Sequence, residues 1–133
     1  VSGCVIVTTP QDIALLDARK GLEMFRKVSI PILGIIENMS THICSKCQHE
    51  ETIFGEGGGS RISEEYKIDL LGKLPLTAAV RSQTDSGKPS VISEPDSEYS
   101  KKFRAGAKKM AIKLAATKKD FSQHFPKIVV EEN

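Results

Sequence analysis

Three short apolar runs, set apart by one helix-length segment and one long polar insertion, constrain this chain more than any other feature. Val1-Ser2-Gly3-Cys4-Val5-Ile6-Val7-Thr8-Thr9 opens within a residue or two of a fully apolar stretch, Ile32-Leu33-Gly34-Ile35-Ile36 repeats the pattern, and Leu70-Leu71-Gly72-Lys73-Leu74 is the third run. Apolar runs without polar alternation suit strands of a parallel sheet covered on both faces. Between the first two, Leu15, Ala18, Leu22 and Phe25 recur at helical spacing. That helix starts near the turn Thr9-Pro10-Gln11-Asp12 and reaches about Val28, and Pro31 breaks it. A short helix is expected over about 60–67; Pro75 stops the third apolar run, and a polar loop over 75–89 follows. A last helix is expected from about Asp96 to Lys118, with Tyr99, Phe103, Ala107, Met110 and Leu114 on one stripe. The tail 119–133 has no clear period, and there are no internal repeats. Strand–helix–strand–loop–helix–strand–helix predicts an α/β fold with a mostly parallel sheet flanked by helices. The first strand opens almost at Val1, with no starting Met and no cap, so the chain is expected to be the C-terminal part of a larger α/β domain.

Composition narrows the function classes. At 133 residues the chain is long enough for one domain with a core, and 39% hydrophobic with 27% charged residues is ordinary for a globular protein. A net charge of +2 with no aromatic-interleaved basic patch does not argue for nucleic acid. No apolar run approaches the roughly 18 residues needed to cross a bilayer, so no membrane partner is expected. Three cysteines do not make a disulfide framework. Two of them in one loop, with no signal peptide, point to a reducing cytoplasm and a metal or redox role.

Those two are Cys44 and Cys47, inside a loop expected over 40–60. Thiolates at this spacing can reach one soft metal centre, zinc or iron–sulfur, because the intervening turn points both sulfurs the same way. Two thiolates do not close a tetrahedral sulfur site. His42 and His49 flank the pair and supply the ligand types of a single-chain zinc knuckle, although the spacing is unusually compressed. A metal shared between two chains, two sulfurs from each, needs no compression and clamps a dimer. A redox disulfide is weaker, because reactive CxxC pairs sit at helix N-termini and this one lies in a glycine-rich loop. The plain alternative is a pair of reduced surface thiols.

Other motifs carry less. The run Gly55-Glu56-Gly57-Gly58-Gly59 lacks the Gly-Lys-Ser/Thr that completes a phosphate loop, and a flexible hinge for the cysteine loop is the expected role. Asn38 lies just past the end of a buried parallel strand, where open α/β sheets bind ligands. Its amide can both donate to and accept from the edge of a base, with a turn-forming Asn as the alternative. The loop after Leu74 is expected beside it. Lys101, Lys102, Arg104, Lys108, Lys109 and Lys113 coat the last helix as a solvated face. Cys4 reads as a small core residue, and His124 in the tail carries no readable signal.

The run Val7-Thr8-Thr9-Pro10-Gln11-Asp12-Ile13-Ala14-Leu15-Leu16-Asp17-Ala18-Arg19-Lys20-Gly21, then Gly34-Ile35-Ile36-Glu37-Asn38-Met39-Ser40 and Cys44-x-x-Cys47, resembles the Mrp/ApbC family. The match continues through Phe54-Gly55-Glu56-Gly57-Gly58, Leu74-Pro75-Leu76 and Asp85-Ser86-Gly87-Lys88-Pro89, covering about residues 1–118. That family belongs to the MinD/ParA-type deviant P-loop ATPases and is similar to the Nbp/Ind iron–sulfur scaffolds. The resemblance implies a cytoplasmic homodimer in which Cys44 and Cys47 of two subunits hold a bridging 4Fe–4S cluster for delivery to apo-proteins. It implies that Asn38, Pro75 and Leu76 hold the adenine of ATP, with magnesium and hydrolysis belonging to the intact protein. A zinc-stabilised dimerisation module without cluster transfer is the alternative. The family's Lys-Gly-Gly-Val-Gly-Lys-Ser/Thr loop is absent from these residues, so the chain alone is not expected to hydrolyse ATP. Gln48 stands where the family often has Gly.

Overall fold

The structure is a computed structural model describing residues 1–117, and the expected tail 119–133 lies outside the described residues. In chain order the elements are β1 (Cys4–Thr8), α1 (Asp12–Lys27), β2 (Ile32–Glu37), β3 (His42–Ile43), β4 (Glu50–Glu51), α2 (Gly58–Tyr66), β5 (Leu70–Lys73), α3 (Ala78–Asp85), α4 (Ser90–Ser93) and α5 (Glu98–Ala116). The three apolar runs form one parallel sheet in the order β1-β2-β5. The α/β architecture with a parallel sheet flanked by helices is therefore as the sequence predicts.

One side of the sheet is covered by α1 and α2. Leu15, Ala18 and Leu22 of α1 meet Ile6, Ile35 and Ile62 in a single buried cluster, the stripe that helical spacing picks out. Leu70 joins that cluster, so strand alternation turns Leu71 to the other side, where α5 packs on β5 and β2. There the helix comes close because glycine meets glycine. A methyl group on Gly72 would lie 3.8 Å from the Gly106 Cα. This approach resets the expected stripe of α5. Gly106 and Ser100 are its buried residues, Tyr99 and Phe103 are half-buried, and Met110 and Leu114 remain 36% and 43% exposed.

Helix ends follow backbone chemistry more than residue type. Ser29 and Lys67 adopt left-handed φ of 56° and 53° just past α1 and α2. In each case the next two amide protons fold back, Ser29 to Arg26 O and Ile30 to Phe25 O, Lys67 to Glu64 O and Ile68 to Ser63 O. These are Schellman stops without glycine. The segment expected as a loop over 75–89 contains α3. The Thr77 hydroxyl accepts from Val80 N–H at 3.1 Å to cap it, and Gly87, at φ 73°, ends it with the same pair of bonds.

Two further expectations change. The first strand is not covered on both faces: Val7 is 60% exposed, and β1 pairs only with β2 among the described residues. The glycine run is not a free hinge. Gly58 and Gly59 are buried in the first turn of α2, with Gly57 as its left-handed N-cap. A Cβ on Gly58 would stand 2.9 Å from Pro10 backbone atoms, and one on Gly59 would stand 2.9 Å from the Glu37 Cβ. Packing, not flexibility, requires glycine there.

Candidate metal centre

The segment after β2 leaves the sheet, makes a small hairpin and returns at α2. Its departure is fixed beside β5. Asn38 N–H donates to Thr8 O at 2.7 Å, the chain turns at Met39 with φ 53°, and Ser40 N–H donates to Leu74 O at 2.9 Å. Leu76 N–H then donates to Thr41 O at 2.7 Å, and His42 bridges to Leu76. Residues 40–42 thus run alongside Leu74–Leu76. Asn38 is tied to the end of β1, whereas Leu76 runs beside Thr41 and His42, two residues past the turn. The Asn38 side-chain oxygen accepts from Met39 N–H at 3.0 Å, which is the turn-forming use of the residue.

The hairpin itself is β3 paired antiparallel with β4, His42 opposite Glu51 and Ile43 opposite Glu50. Cys44 N–H donates to His49 O and Gln48 N–H donates back to Cys44 O, both at 2.9 Å, closing the turn that carries the cysteines. Cys44 is half-buried at the start of this turn and Cys47 is exposed within it; both are free thiols. Backbone N–H groups of Cys47 and then Lys46 point at the Cys44 sulfur, with the Cys47 thiol adding to them, and hold its pKa below the ordinary thiol value. Amide donors that favour thiolate are what a thiolate–metal bond needs. Cys4, in contrast, is pushed up by burial in β1.

The flanking histidines do not join the pair. His42 Nδ1 lies 3.5 Å from the Glu51 carboxylate across the ladder, and His49 is exposed. No group of three or more His, Cys, Asp or Glu side chains converges as a metal site among the described residues. Among the described residues, Cys44 and Cys47 thus share one turn with no third such side chain gathered beside them. Gln48 takes φ 60°, the left-handed position where glycine is the easy choice, yet the turn keeps its bonds.

One residue near the site escaped the sequence reading of candidate ligands. Glu37, only 1% exposed, accepts from Gly59 N–H at 2.6 Å, and Lys73 Nζ is 4.0 Å from its other oxygen. A charged residue ending an otherwise apolar strand was its only signal.

The family model described as NUBPL iron-transfer P-loop NTPase, of the ParA group, matches residues 1–111. The chain belongs to this family. Among curated relatives, an iron-sulfur cluster carrier protein of Pseudomonas fragi is 60% identical over 97 residues, covering 73% of this chain and 34% of that protein. The carrier protein of Escherichia coli K12 is 54% identical over 114 residues, with 86% and 31% covered. The mouse iron-sulfur cluster transfer protein NUBPL is 48% identical over 103 residues, with 77% and 32% covered. The chain spans about a third of the length of these curated relatives. A nucleotide-binding protein from Archaeoglobus fulgidus, solved in complex with ADP, shares the fold at 30% identity and TM-score 0.60, covering 74% of this chain and 39% of that one. The septum site-determining protein MinD of Pyrococcus horikoshii matches at TM-score 0.66 and 24% identity, with 86% and 43% covered, and shows the fold alone. Among the described residues of this family member, no helix is long and apolar enough to cross a membrane.

Proposed function

We propose that this chain is the cluster- and base-binding portion, residues 1–118, of a cytoplasmic iron–sulfur cluster carrier. Two copies would each supply Cys44 and Cys47 to one bridging 4Fe–4S cluster, carried as cargo and passed to apo iron–sulfur proteins. The observation that carries this reading is a two-sulfur half-site: two free thiols on one hairpin, one of them facing amide donors, with no third ligand side chain gathered beside them among the described residues. A four-thiolate cluster needs two such halves. A short exposed hairpin also suits a cargo that must leave by ligand exchange, because incoming thiolates can approach Cys47 from solvent. In the intact protein, Asn38, Pro75 and Leu76 would hold the adenine of ATP. Phosphate binding, magnesium and hydrolysis would depend on a backbone phosphate cradle and Lys that these residues do not contain.

The same turn geometry also fits zinc, which takes thiolates with amide hydrogen bonds equally well. A zinc-clamped dimer without cluster transfer is therefore the second reading. Anaerobic reconstitution separates them. The carrier gives broad visible absorption near about 400 nm and about four irons per dimer. A colourless protein holding zinc in their place overturns it.

A further inference from the structure

The excursion that carries the cysteines is fastened at its return end by the packing of α2 through Ile62 and Gly58 and, at the first turn, by one buried carboxylate. Glu37 belongs to β2, flanked by β1 through Thr8 and by β5 through Lys73. Its carboxylate reaches across 22 residues of sequence to Gly59 N–H, at 2.6 Å, in the first turn of α2. A carboxylate so deeply buried is expensive to keep, and helix capping alone does not require it. A local cap would need a side chain at position 57, where the backbone is left-handed at φ 69° and unsuited to one. The sequence places Gly57 there, with no side-chain cap, and assigns the task to a residue of the central strand. The fit has no slack, since a Cβ on Gly59 would press on both Cβ and Oε2 of Glu37, at 2.9 and 3.1 Å. The other end of the excursion is tied to the same place: Ser40 donates through its N–H and its hydroxyl to Leu74 O, and Leu74 N–H donates to Glu37 O. Between these ends, the turn Thr52–Gly55 and the Arg61 contact to Glu56 O are exposed.

We propose that Glu37 is a positioning residue for the metal hairpin: by holding Gly59 against the end of β2, it sets where Cys44 and Cys47 are presented to a second copy. This rests on the two-chain metal reading above. It assigns to Glu37 no contact with the metal, only the placement of the segment that binds it.

The test compares two conservative variants in the reconstituted dimer, because Glu37→Ala would leave a buried hole. In Glu37→Gln the amide oxygen still reaches Gly59 N–H. In Glu37→Asp the charge stays but the reach is one methylene short. Iron per dimer, visible circular dichroism and the rate of cluster loss to a chelator are read well below the melting temperature of each protein. Glu37→Asp is expected to lose the cluster faster by on the order of tenfold, as groups outside the ligand sphere do at other metal sites, with an altered dichroism spectrum. Glu37→Gln is expected to stay within about twofold of the parent. Equal rates for Glu37→Asp and the parent overturn the proposal, and so do equally accelerated rates in both variants, which would indicate charge or general stability. If the parent takes up no cluster, the carrier reading has failed instead, and the same comparison with zinc alone decides the role of Glu37.

Discussion

Cys44 N–H and His49 O, 2.9 Å apart, close the loop that carries both cysteines, so the two thiols are placed by backbone hydrogen bonds and not by side-chain packing. Either sulfur can therefore be deleted without disturbing the fold. Cys44→Ser and Cys47→Ser are each expected to abolish metal binding, whereas Cys4→Ser, in β1, leaves it intact. Metal analysis after anaerobic reconstitution checks this, and equal loss from Cys4→Ser would make the assignment wrong. His42→Ala and His49→Ala should retain the metal, since neither side chain faces the thiols together with the other.

Metal and dimer should rise and fall together. When two chains each give two ligands, binding free energy is also assembly free energy. Sedimentation of reconstituted and chelator-treated protein is expected to show dimer and monomer respectively. A metal-loaded monomer would rule out sharing.

Thiol reactivity should separate the cysteines by pH. The amide donors that lower the Cys44 pKa favour its thiolate, and burial that raises the Cys4 pKa favours its thiol. In metal-free protein, Cys44 is expected to alkylate measurably below the ordinary thiol pKa, with Cys4 lagging until the medium is well above it. A depressed pKa adds stability that is present above the unfolded value and lost as pH falls through the folded one, so the closed turn should loosen on acidification. Mass spectrometry of iodoacetamide-labelled peptides across pH 6–10, a span of roughly two units either side of the thiol value, reads the order. The reverse order would place the donors elsewhere.

Gln48→Gly is expected to help. A residue with a side chain at φ 60° costs about 1–2 kcal/mol against the right-handed region, and glycine returns about 0.5–1 kcal/mol of that as lost chain entropy. The net gain should be about 0.5 kcal/mol, visible as a small rise in melting temperature. Gly59→Ala has the opposite sign, about 1–3 kcal/mol destabilising, because its methyl meets Glu37 at 2.9 Å.

ATP should bind this chain alone with a dissociation constant in the millimolar range or weaker. The base contacts proposed for Asn38 and the Pro75–Leu76 segment are a few hydrogen bonds, each worth about 0.5–1.5 kcal/mol. The triphosphate charge has no amide cradle or Lys of the P-loop type to meet within these residues. Micromolar affinity by calorimetry would place a phosphate site inside them.

The sheet and α1 were legible because their signals are local: apolar runs for β1, β2 and β5, and 3.6-residue spacing for Leu15, Ala18 and Leu22. The α3 helix was not, since none of its residues is buried and no apolar stripe marks it. Its caps, Thr77 and Gly87, were the available signal. The α5 stripe misled because long apolar residues suggest a seam, while close approach at Gly72 and Gly106 decides which face meets the sheet. The cysteine pair could be read from its spacing, and the place of Asn38 from the strand end it follows. The partnership of Glu37 with Gly59 could not, because it joins residues that only the crossover of the chain brings together.

A ladder of only two residues on each strand, His42–Ile43 against Glu50–Glu51, is too little to hold a shape by itself in water. In the proposed carrier the freight is then also the fastener. A bound cluster would add ties to the turn beyond the two backbone hydrogen bonds that close it, and handing the cluster over would remove them. In such a carrier, loading and a firmer hairpin would go together without any moving domain.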